Sequence, residues 1–369
     1  MGARGLLARL LVVGGIGAVV LAATAAPAAA HGVGGVRPTN YQTRILSVRP
    51  EVPGITVRTV DLGDRLEVEN RTRRDVVVLG YDDEPYLRIG PRGTFENVRS
   101  PATYVNRTRR GGGPVPASAD PEAPPEWRRI SDEPVARWHD HRAHWMRPDE
   151  PPAVQRDPDR THVLQRFRVE IVDGDRSIIA RGDVRWVPAP SPWPWLALAA
   201  VAGIGLIAAS RTGHAATAVA IALGLVVVVE VVHLAGSWGA TTLGVGTRLG
   251  ASIYGFGAAV VSAIALVWVV RRGLHAAAPL VLIAGLFVAI AGGLADFSVL
   301  TRSQVPTTVP DAVARAGVAL ALGIGIGLTV VGALRLRPSP RPRASVQRSA
   351  ADGAGAEPMR SPAYSNQRD

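Results

Sequence analysis

The sequence predicts an exported all-β domain of immunoglobulin-like sandwich type, followed by an α-helical membrane domain of five transmembrane helices. Three observations predict it. Charges and prolines crowd before residue 190, while long uncharged apolar runs fill the C-terminal half. Short β-type runs separated by turn residues recur in the first part. The N-terminus has the three parts of a secretory signal.

Composition narrows the function classes. The net charge of +11 is carried by arginine alone, since the chain has no lysine. Basic residues flanking apolar spans set membrane orientation, and no nucleic-acid-binding motif accompanies them, so a lipid bilayer is the expected partner and nucleic acid is not. With no cysteine, disulfides, thiolate metal sites and cysteine nucleophiles are excluded. Any metal must be held by nitrogen, oxygen or methionine sulfur.

In chain order, Arg4 and Arg9 form the charged region of a signal peptide over 1–30, residues 10–23 its apolar region, and APAAA its small-residue end. Cleavage after Ala30 leaves His31 as the first residue of the mature chain. Residues 31–190 form the exported domain. Its expected strands are RILSVRP (44–50), ITVRTV (55–60), RLEVEN (65–70) and DVVVLG (75–80), then VLQRFRVEIV (163–172) and RSIIARGDVRW (176–186) around the hairpin signal Asp173-Gly174-Asp175. A long Pro- and Arg-rich insertion, 100–160, separates the two groups; a loop of that length is uncommon unless it has a function.

The membrane domain, 191–335, begins at SPWPW, with Trp193 and Trp195 as interfacial aromatics. Five apolar spans follow at about 193–210, 215–236, 251–270, 276–299 and 312–334. With the exported domain outside, Arg211, Arg271, Arg272 and the arginine-rich tail all fall inside, as the positive-inside rule requires. Arg248 and Arg302 are single exceptions in outer loops. The tail, 336–369, has a disordered composition. The expected location is therefore the plasma membrane, multi-pass, with the N-terminal domain extracytoplasmic.

Chemistry-bearing residues concentrate in one stretch. ARWHDHRAHWM (136–146) holds three of the eight histidines, His139, His141 and His144, with Asp140 and Met146 beside them. Imidazole is the commonest protein metal ligand. In an extended segment His139 and His141 share a side, whereas a helical turn would make neighbours of His141 and His144. Imidazoles suit Cu(II) and zinc, and a thioether suits cuprous copper. A processed His31 adds an α-amine and an imidazole on one residue. The alternative is that these histidines pack and hydrogen-bond among the tryptophans. Within the spans, Glu230 and His233 lie on one helix face and Asp296 at similar depth, which makes them candidate metal ligands or a proton site. A polar clasp between packed helices is the competing reading. Asp82, Asp83 and Glu84 in YDDEPYLRIG read as a solvated turn. No GxSxG motif is present, and an enzyme is not expected.

The His31 start, the sandwich-like exported domain with a late His/Asp cluster, and the helical membrane domain together resemble bacterial copper-resistance proteins of the CopC and CopD type. The resemblance implies a CopC-like sandwich that binds copper, with zinc as the alternative, through His31 and some of His139, Asp140, His141, His144 and Met146. The family's Asp-x-His pair is absent, the exported domain is longer, and five spans are fewer than its membrane partner usually has. The stretches YDDEPYLRIGP and WHDHRAHWM are also similar to segments of actinobacterial membrane proteins. The expected function is copper handling at the cell envelope: the exported domain captures the ion and the membrane domain receives or transmits it, with an envelope protein or copper chaperone as partner. The alternative is a membrane-anchored structural or interaction protein without a metal role.

Overall fold

The computed structural model describes residues 36–109, 111 and 113–336; the expected signal segment 1–30, His31 and the tail from 337 onward lie outside the described residues. Ten strands fold the first part: β1 (Tyr41–Arg49), β2 (Ile55–Val60), β3 (Arg65–Asn70), β4 (Val76–Leu79), β5 (Pro85–Gly90), β6 (Gly93–Asn97), β7 (Trp127–Ser131), β8 (Val135–Trp138), β9 (His162–Asp173) and β10 (Arg176–Trp186). They form a seven-stranded sheet of order β1-β10-β9-β4-β5-β6-β7 and a three-stranded sheet β2-β3-β8, antiparallel throughout. Period-2 alternation explains the shared core. On β9, Phe167, Val169 and Ile171 point inward and meet Leu66 and Val68 of β3 and Ala136 and Trp138 of β8. Each such fully buried aliphatic side chain contributes about 1.5–3 kcal/mol. The β9–β10 hairpin turns at Gly174, whose φ of 61° is the left-handed value such a turn requires.

The six expected strands all form, with ends shifted by a few residues. The other four are findings of the structure. The segment 100–160 is not a loop set apart from the sheets: it supplies β7 and β8, an edge strand to each sheet, besides two one-turn helices, α1 (Pro101–Val105) and α2 (Pro152–Arg156). Edge strands bury little, and WRRIS of β7 has no buried residue to advertise it. Glu84 likewise is not in a solvated turn. It is 2% exposed and accepts from Ser100 Oγ and the Asp82 N–H.

The second part is helical: α3 (Trp193–Ala209), α4 (Ala215–Gly239), α5 (Val245–Phe287), a π-helical turn (Val288–Leu294), α6 (Ser298–Thr301) and α7 (Asp311–Leu336). α4, the stretch Val245–Thr301 and α7 are each long and apolar enough to cross a membrane, and α3 is a shorter apolar helix. Gly273, at φ 79° and ψ 162°, breaks the long stretch. Its two arms fold back on each other, because a Cβ at Gly257 would meet the Phe287 ring at 2.9 Å, whereas 30 residues of straight helix span about 45 Å. Small residues allow close approach elsewhere. A Cβ at Gly323 of α7 would lie 2.1 Å from the Ala199 carbonyl oxygen of α3.

Two loops fasten the sandwich to the helices. Asp61, in the β2–β3 turn, accepts from Thr242 N–H (2.7 Å), Thr242 Oγ1 (2.9 Å) and Thr241 Oγ1 (3.1 Å), and pairs with Arg65. Thr39 bridges Gln304, and Ser303 donates to Asn40 Oδ1 and the Val187 carbonyl. At the other end of the bundle Arg335 donates to the Ser210 carbonyl, joining the C-termini of α3 and α7.

Candidate metal centre

Among the described residues one group brings three ligand atoms within 4.8 Å of one another: Asp64, His139 and His144. Strand register explains the first pair. Leu66 of β3 pairs with Trp138 of β8, so Asp64, just before β3, and His139, just after β8, stand at the same open end of the pair, diagonally across from one another. A 3-10 turn (His141–Ala143) then reverses the chain and returns His144 to the same place. That turn is capped by Asp140, which accepts from the Arg142 N–H, and it is tied to β1 by Thr43 Oγ1 donating to the Ala143 carbonyl. Gln165 of β9 donates to the carbonyls of Arg142 and His144.

His139 Nδ1 lies 2.9 Å from the Asp64 carbonyl and 3.4 Å from its carboxylate; His144 Nε2 lies 3.0 Å from the same carbonyl. Arg109 approaches the carboxylate at 3.4 Å. A cavity of about 140 Å³ adjoins Asp64 and His144, with Tyr41, Thr43, Arg109 and Val36 in its wall. Burial, and next the positive charge of Arg109, push the His144 imidazole down to about 4, against the opposing pull of Asp64. At neutral pH it is therefore uncharged and has a lone pair for a metal.

The other residues of the histidine-rich stretch are placed apart from this group. Asp140 is fully buried and accepts from Trp138 Nε1, from the Arg142 N–H and from its guanidinium. Its oxygens are thus committed to the turn. His141 faces away, its Nε2 3.1 Å from the Thr108 carbonyl and its N–H donating to Tyr81. The extended geometry that would pair His139 with His141 does not form, because the turn intervenes. Met146 is exposed. Asp64 had no local signal: it stands 75 positions before His139, and only pairing of β3 with β8 unites them.

In the helical part, His233 Nε2 lies 3.5 Å from Asp296 Oδ2, joining α4 to the loop after the π-helical turn. Glu230 is buried one turn deeper, and these three do not converge as the Asp64 group does. No protein-family model, curated protein or solved structure matches the chain.

Proposed function

We propose that this chain is a cell-envelope metal-binding membrane protein whose sandwich captures a divalent transition-metal ion, copper before zinc, through Asp64, His139 and His144. The convergence of those three ligand atoms carries the proposal. Two imidazoles and one carboxylate form a nitrogen–oxygen set suited to Cu(II) and zinc. The resemblance to copper-resistance proteins favours copper. Cleavage after Ala30 would add the amine and imidazole of His31, five residues before Val36 in the cavity wall, a stretch that spans at most ~17 Å.

In this reading the chain crosses the membrane five times with the sandwich outside. Support comes from the break at Gly273, which divides the longest apolar stretch into two antiparallel arms. The two loops that touch the sandwich lie at the end opposite Arg211, Arg271 and Arg272. One observation favours the rival, an interaction protein: the imidazole nitrogens facing Asp64 already bond to its carbonyl and need no metal to be satisfied.

Titration of metal-stripped full-length protein with Cu(II), followed by electron paramagnetic resonance, separates the two. One nitrogen-ligated ion per chain is expected, with affinity lowered about 10–100-fold in Asp64→Asn and His139→Ala. Affinity that is equal in all three proteins would sink the metal reading and leave the interaction protein.

A further inference from the structure

Where the sandwich meets the helices there is a groove of about 830 Å³, walled by the edge strands β1 and β2, by the loop of Thr241 and Thr242, and by Gln304 and Thr307 of the loop before α7. A second hollow, a cleft of about 460 Å³, lies among the helices, and Thr307 stands in the walls of both.

Packing explains the cleft. α3 runs along α7 but scarcely touches α4, and the stripe Ala312, Ala316 and Leu320 on α7, at helical spacing with Gly317 beside it, is left open against Val228 and Val232 of α4. Apart from His233 and Thr307 the wall is aliphatic or aromatic. Its depth fits one kind of occupant. Val228 precedes Gly239, the sandwich end of α4, by 11 residues, which is ~17 Å of helix, and half the hydrocarbon core of a bilayer is ~15 Å. The cleft is therefore one leaflet deep, and Trp195 in its wall, at the sandwich end of α3, is of the interfacial aromatic type.

The groove carries the opposite chemistry. Arg44 and Arg58 stand in its wall with side chains 36% and 59% exposed. The carboxylate beside each is shared with a second arginine: Asp183 pairs with Arg44 and Arg185, and Glu67 with Arg58 and Arg137. Arginine stays charged, so each trio keeps one positive charge in excess. Asp61, the carboxylate of the groove itself, is committed to Arg65 and the Thr242 N–H.

We infer that groove and cleft together bind one anionic phospholipid of the sandwich-side leaflet, its head group in the arginine-walled groove and one acyl chain in the cleft beside α7. The excess positive charge selects an anionic head group, since a zwitterionic one brings a cation of its own. The site stands whether or not the sandwich binds a metal.

The probe is phosphatidylglycerol with a photoreactive diazirine at the end of one acyl chain, added to full-length protein in phosphatidylcholine nanodiscs. Crosslinked peptides are mapped by mass spectrometry. Crosslinks should concentrate in residues 228–232 and 312–320 over the exposed face of α5 at Ile253 and Val260, and a phosphatidylcholine carrying the same diazirine should show no such concentration. In Arg44→Gln or Arg58→Gln, which leave each carboxylate its second arginine, the mole fraction of probe that half-saturates the crosslink should rise about fivefold. Crosslinks spread evenly over the helices would mean ordinary surrounding lipid, and crosslinks missing from the cleft would mean another occupant; either result overturns the inference. So does equal labelling of the cleft by the two probes, or a half-saturation point that neither arginine variant moves.

Discussion

His139 lies against Asp64, its Nδ1 2.9 Å from the backbone carbonyl and 3.4 Å from the carboxylate, across the open end of the β3–β8 pair. Three residues before Asp64, Asp61 holds the loop of Thr241 and Thr242. One four-residue turn therefore carries both a ligand of the candidate metal centre and the fastening between sandwich and helices.

Roles within the histidine-rich stretch separate by substitution. Asp140→Ala leaves Arg142, three-quarters buried, without its carboxylate partner, and should cost about 3–5 kcal/mol. His141→Ala removes one contact to the Thr108 carbonyl and should cost no more than about 1 kcal/mol. Thermal unfolding of the two variants measures the contrast. Similar losses would mean that Asp140 does not organise the turn.

Acid should weaken the metal-free sandwich in a defined window. His144 is held down to about 4 in the fold and returns to about 6.5 when unfolded. Between those values the unfolded state binds the extra proton, so stability rises with pH there. The contribution is complete above pH ~6.5, is lost as pH falls towards ~4, and amounts to about 3 kcal/mol. Denaturant titrations at several pH values should show this loss in the wild type and not in His144→Phe.

The junction depends on Asp61. Its burial would by itself raise the carboxyl, but the Thr242 N–H and the Arg65 guanidinium outweigh that and hold it below the ordinary range. Asp61→Ala strands both donors and should cost about 3 kcal/mol or more. Hydrogen exchange at the Thr242 amide should accelerate in the variant. Unchanged exchange would show that another group carries the contact.

Helix packing gives a paired test. Gly323→Ala places a methyl group 2.1 Å from the Ala199 carbonyl oxygen and must push α3 from α7, whereas a Cβ at Gly205 of α3 meets nothing within 4 Å. The first change should destabilise by about 1–3 kcal/mol, and the second should be neutral or slightly stabilising because alanine favours helix. Unfolding in detergent of each single variant reads the difference.

Topology is open to direct labelling, since the chain has no cysteine of its own. An impermeant maleimide should label Asp175→Cys on intact cells, and Thr212→Cys and Arg272→Cys only after permeabilisation. Labelling of Arg272→Cys from outside would reject the inward turn at Gly273 and with it the five-pass arrangement.

Much of the fold is legible in sequence because its signals are local. Alternation along β9 and β10, the Gly174 turn and the apolar lengths of the helices are each contained within a few dozen residues. β7 and β8 carry no such signal, because β7 has no buried residue and β8 is only four residues long. Arg271 and Arg272 mark the break between two apolar spans in the sequence, and Gly273 beside them is where the longest apolar stretch doubles back.

The sequence by itself determined that this chain has an apolar helical part and a β-rich part, and that nitrogen and oxygen must hold any metal it binds. Which donors meet was decided by the tertiary structure. The β3–β8 register brought Asp64 to His139, the Asp140-capped turn brought His144 to both, and the same turn carried His141 away. The reason is physical: side-chain type is written at each position, but ligand geometry depends on backbone pairing between residues 75 apart, which no local pattern encodes.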